Sequence, residues 1–75
     1  MIDKCTVKID KKHPIDALNV LTNLAKKYVD WLDYDERYAN QIISDLTLFS
    51  DKNNLNDAIE VFNHHFKEYI TLEIT

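Results

Sequence analysis

Glycine is absent from this 75-residue chain, and proline, cysteine, methionine and tryptophan occur once each. Without glycine there is no glycine-rich loop to cradle a phosphate and no glycine-flanked nucleophile turn. A helix that would normally close on a left-handed glycine must close on another residue. Asparagine is the next cheapest choice, and Asn53 or Asn54 is available in the stretch Ser50–Asn54. The single cysteine, Cys5, rules out an internal disulfide framework and points to a reducing compartment. No apolar run approaches the roughly 18 residues a membrane helix needs, and no charged-then-apolar leader opens the chain. The expectation is a cytoplasmic protein with no membrane association. Paired cysteines and an H-E-x-x-H helix are also missing, and a chain this short has little room for a water-excluding pocket. The expectation is therefore a non-enzyme with no cofactor and no bound metal.

What is present argues for a folded chain: 45% hydrophobic residues, including eight aromatics. It makes a single domain, 1–75, near the size at which one core buries only about 60% of the unfolded surface. The net charge of −4 is uneven. Residues 1–13 carry a surplus of two lysines, residues 14–38 are net −2, and residues 39–75 are net −4. An acidic majority repels phosphate, which makes nucleic acid an unlikely partner and a protein with a basic surface a better one.

The spine of the chain is Pro14–Leu32. At 100° per residue, Val20, Trp31, Leu24, Ala17, Tyr28, Leu21, Leu32, Ala25, Leu18 and Val29 share one half of the wheel. So broad an arc predicts a helix packed against more than one neighbour. Pro14 starts it, and Asp16 suits the positive end of its dipole. Asp33-Tyr34-Asp35-Glu36 has the form of a capping box, predicting a second helix that begins at Asp33 after a joint of one or two residues. That helix carries the stripe Tyr38, Ala39, Ile42, Ile43, Leu46 and Phe49. A third, over 55–69, turns Leu55, Ala58, Ile59, Phe62, Phe66 and Tyr69 inward, with Asn54 as its cap. Residues 5–10 and 70–75 alternate, predicting strands that pair, with Lys8 opposite Glu73. The fold class is α+β, in the order β-α-α-α-β: a three-helix layer with a small two-stranded sheet formed by the N- and C-terminal strands. Strand direction stays open.

Several groups invite a functional reading. Glu60, His64 and Glu68 lie four residues apart on one helical face, a spacing that can present metal ligands, but nothing completes a shell and a solvated face is expected. Cys5 faces the same way as Val7 and Ile9, predicting a buried, inert thiol. Val61 lies off the core arc of the third helix and Leu48 on the outer side of the second, two apolar residues that would form a contact patch if they met. The strongest candidate is the acidic-aromatic stretch Asp30, Trp31, Asp33, Tyr34, Asp35, Glu36 and Tyr38. Tryptophan and tyrosine anchor interfaces because they bury much area with few rotamers, and carboxylates beside them pair with basic residues. In the last turn of its helix Asp30 opposes the dipole, a position with no stabilising explanation.

These features predict a small acidic protein-binding inhibitor or regulator that occludes a partner protein. Its character is that of many immunity proteins, antitoxins and phage-encoded anti-defence proteins, an analogy of type with no motif behind it. The alternative is a homo-oligomeric module associating through strand edges. A third reading, nucleic-acid binding through Lys4, Lys8, Lys11 and Lys12, lacks interleaved aromatics.

Overall fold

The five elements are joined by short reversals, which decides the architecture. In the computed structural model, which describes residues 5–75, β1 covers Cys5–Ile9, α1 Pro14–Trp31, α2 Glu36–Asp51, α3 Leu55–Phe66 and β2 Ile70–Ile74. The order is the β-α-α-α-β expected, and the two terminal strands form the sheet. Reversal at each joint across three helices returns the chain in its starting direction, so β1 and β2 run parallel, in register from Cys5↔Ile70 to Ile9↔Ile74. Lys8 stands across from Glu73 as expected.

Both helix–helix joints close by the same device. At the end of α1 Asp33 adopts a left-handed φ of 55°, the Asp33 N–H reaches the Asp30 carbonyl (3.2 Å) and the Tyr34 N–H reaches Val29 (3.1 Å). At the end of α2 Asn53 takes φ 54°, with Asn53 N–H on Ser50 (3.0 Å) and Asn54 N–H on Phe49 (2.8 Å). This pair of bonds is the Schellman closure, made without glycine. Asn53 thus fills the left-handed position expected of it or Asn54, and Asn54 caps α3: its side-chain carbonyl accepts from Asp57 N–H and its amide donates to the Asp57 carboxylate (2.7 Å).

The capping box at Asp33 is corrected. Asp33 terminates α1, and Asp35 caps α2 by accepting from the Arg37 N–H at 3.1 Å. The joint is longer than expected because closing α1 consumes Asp33 and Tyr34 before a cap can form. Tyr69 N–H bonds back to the Phe66 carbonyl, so α3 stops at Phe66 instead of 69.

The core lies between the helices and under the sheet: Ala17, Leu18, Leu21, Ala25 and Val29 of α1, Ile42 and Leu46 of α2, Leu55, Ala58, Ile59, Phe62 and Phe66 of α3, with Ile9 and Ile70 above them. The expected α1 arc is too broad at one edge, where Val20 is 39% and Trp31 58% exposed. The sheet lies obliquely. Ile9 and Ile70 are buried, whereas their register partners Ile74 and Cys5 are exposed. The expectation of a buried Cys5 is overturned: its thiol neighbours the Tyr28 hydroxyl of α1, but as the first residue of the short β1 it is left exposed. Val61 packs on the core while Leu48 stays exposed, so no patch between them is supported.

Candidate protein-binding site

The α1–α2 joint gathers aromatic rings into a continuous chain. Trp31 stands edge-on to Tyr28 (centroids 5.8 Å, 89°), and Tyr28 packs at 6.2 Å on Phe66 from α3. On the other side of Phe66, Tyr34 stacks nearly parallel at 6.3 Å and 13°. Tyr38 meets Tyr34 edge-on at 5.3 Å and reaches His65 across α2 and α3. Its hydroxyl lies 2.8 Å from His65 Nδ1. With the ring neutral and its proton on Nε2, Tyr38 O–H donates to Nδ1. Edge-to-face contacts of this kind stabilise by about 0.5–1.5 kcal/mol each beyond their buried area.

The electrostatics follow from this packing. Burial is the main cause that pushes the Tyr34 hydroxyl above its ordinary pKa, followed by Tyr69, Tyr38 and Glu68 nearby. Tyr28 is raised chiefly by its hydrogen bond with Cys5, then by burial. Burial also lowers the pKa of His65, the neighbouring His64 lowers it further, and Asp45 partly offsets both.

The seven predicted residues divide into two groups. Tyr34 is half-buried and belongs to the packing that joins α1, α2 and α3, while Asp33 and Asp35 are exposed carboxylates that also close and cap helices. Asp30, Trp31, Glu36 and Tyr38 are exposed. Among the described residues no lysine or arginine pairs with any of the four carboxylates; His13 lies 3.8 Å from the Asp10 carboxylate, on a different segment. Glu68 and His65 join the site from α3 and the turn beyond it, residues that sequence spacing had placed on a solvated face or left unassigned. The residue that links them is Phe66, which packs on Tyr28 of α1 and on Tyr34 of the joint. Glu60, His64 and Glu68 all face solvent, and no group of three metal-ligating side chains converges among the described residues. Of the basic segment, Lys8, Lys11 and Lys12 are exposed, and Lys4 lies outside the described residues. No helix among the described residues is long and apolar enough to cross a membrane. Comparison with protein families, with curated proteins and with solved structures finds no match for this chain.

Proposed function

We propose that this protein is a small cytoplasmic inhibitor or regulator that binds a partner protein of basic surface through the α1–α2 joint, acting by occlusion and without catalysis. The observation that carries the reading is Trp31. The one tryptophan of the chain is 58% exposed, held edge-on by Tyr28, on a joint whose carboxylates have no lysine or arginine partner among the described residues. A rigidly held, exposed tryptophan is the residue type most enriched in interface hot spots, and its ordering before contact lowers the entropy lost on binding. Asp30 and Glu36 serve as electrostatic guides: charge at an interface rim accelerates encounter more than it deepens affinity. Asp30 stands in the last turn of α1, where the dipole disfavours an anion, a placement that is intelligible if the carboxylate serves a partner.

The experiment is a pull-down from lysate of the native host, nuclease-treated, with wild-type protein and with Trp31→Ala and Asp30→Lys/Glu36→Lys side by side. A stoichiometric partner retained by wild type and lost by both variants supports the reading. Equal recovery by variants of unchanged melting temperature would falsify it. Asp33 and Asp35 are poor choices for this test, because replacing them disturbs a helix closure and a helix cap.

A further inference from the structure

The two edges of the sheet differ. Cys5 N–H bonds to the Tyr69 carbonyl (3.2 Å), Thr75 N–H to Ile9 (2.9 Å) and Lys11 N–H to Thr75 (3.2 Å). Bonding direction alternates along a strand. Cys5, Val7 and Ile9 therefore turn their backbone groups toward β2, and Thr6 and Lys8 turn theirs to the open side. On β2 the outward residues are Ile70, Leu72 and Ile74, and Ile70 is only 1% exposed, which closes the first part of that edge. Thr6 and Lys8 are both exposed, and no further strand lies beside β1 among the described residues.

An apolar stripe of α1 borders this open edge. Tyr28, central in the α1 arc, packs on Phe66 of α3 and neighbours Cys5 of β1, and the flank carrying Val29 is buried, which leaves the flank carrying Trp31 on the open side. Val20, 39% exposed, and the half-buried Leu24 share that flank within about 40° of helical arc. The far flank, Leu18, Ala25 and Val29, is buried. Asp16 and Lys27 border the stripe on its outer side, opposite in sign and about three turns apart.

We infer that this face docks a second copy of the chain, antiparallel about a two-fold axis at Val7, making one four-stranded sheet from two. With Val7 at the centre, Thr6 of each copy faces Lys8 of the other, and both pairs exchange backbone hydrogen bonds. Centring on Lys8 would oppose like charges. Beneath the sheet the stripes run antiparallel, which brings the Asp16 end of one copy toward the Lys27 end of the other. A five-residue strand alone falls well short of the roughly 800 Å² per partner of a standard interface, and Val20 and Trp31 enlarge the contact. The dimer is reversible and closed, since the same patch serves both copies. It shares Trp31 with the site proposed above but does not rest on that reading.

The test is sedimentation velocity from about ten micromolar to about one millimolar chain. Wild type should rise from 8.9 kDa toward twice that mass. Thr6→Pro removes an outward N–H and leaves the β1–β2 ladder intact, so it should keep the native circular dichroism and lose the dimer. Val20→Lys should weaken the dimer at least tenfold, as should Lys27→Asp, and Asp16→Lys combined with Lys27→Asp should restore much of that loss. Glu36→Lys, which alters the proposed partner site alone, should leave the dimer unchanged. A wild type that stays at 8.9 kDa throughout overturns the inference, as does a dimer indifferent to both Thr6→Pro and Val20→Lys. If Thr6→Pro fails to fold, Val20→Lys and the charge swap decide alone.

Discussion

The two helix–helix joints are built on the same backbone and decorated differently. Each closes its first helix on a left-handed residue that is not glycine, with the same two hydrogen bonds, and each caps the next helix with a side-chain oxygen. The α2–α3 joint, Asp51 to Asn54, is wholly polar. Around the α1–α2 joint stand Tyr28, Trp31, Tyr34 and Tyr38, with Trp31 58% and Tyr38 48% exposed. Since the polar joint turns the chain equally well, reversal of direction does not require the exposed aromatics of the other. Tyr34 and Phe66 are accounted for by packing; Trp31 and Asp30 are not, and that difference separates architecture from surface available for recognition.

The comparison breaks most severely at Phe66, which sits between Tyr28 and Tyr34. Phe66→Ala should cost about 3–5 kcal/mol, measured by urea unfolding, and loosen the α1–α2 joint first. Trp31→Ala, by contrast, should cost less than about 1 kcal/mol in the same assay, the value of a surface substitution. Equal losses would mean Trp31 is part of the packing after all.

The closures themselves sharpen the contrast. Asp33→Gly should stabilise by about 1 kcal/mol, because a non-glycine residue is strained at positive φ and Asp33 also places a carboxylate at the negative end of α1. Asn53→Gly should gain about half as much, since asparagine tolerates that region and carries no charge. Equivalent gains at the two sites would remove the electrostatic part of this argument. On the capping side, Asn54→Ala should cost more than Asp35→Ala, both near 1 kcal/mol, because Asn54 also donates to Asp57.

The smallest expected effect is on pH. The pKa of His65 in the fold lies below its ordinary 6.5, so the native state binds fewer protons there than the unfolded chain. Its share of stability is intact above about pH 6.5, declines as the pH falls below that value and is fully lost below the folded-state pKa. Urea midpoints at about pH 7.5 and 5.5 should therefore differ more for wild type than for His65→Gln. Identical differences would show that His65 is not the group responsible.

The element order, both strands, the Lys8–Glu73 register and the left-handed asparagine were legible because each rests on local rules: period, capping and turn chemistry. Parallel pairing stayed open, because it depends on a reversal at every joint, the two strand–helix joints included, which no local pattern states. Asp33 was misread because its pattern fits a capping box as well as a closure, and only the bonds from Asp33 and Tyr34 back into α1 distinguish the two. Cys5 was misread because alternation reports which face a residue takes, not how completely its neighbours cover it. Glu68 and His65 reach the site through Phe66, a contact between segments far apart in the chain that no local pattern encodes.

The most direct measurement is calorimetric titration of the recovered partner with wild type, Trp31→Ala and Leu48→Ala. Leu48 is the matched control, an exposed apolar residue near the other joint at 48% exposure. The account predicts that Trp31→Ala weakens binding by about 30-fold or more, a hot-spot loss near 2 kcal/mol, while Leu48→Ala stays within about threefold. Equal effects, or a larger loss at Leu48, would contradict the assignment of recognition to the α1–α2 joint.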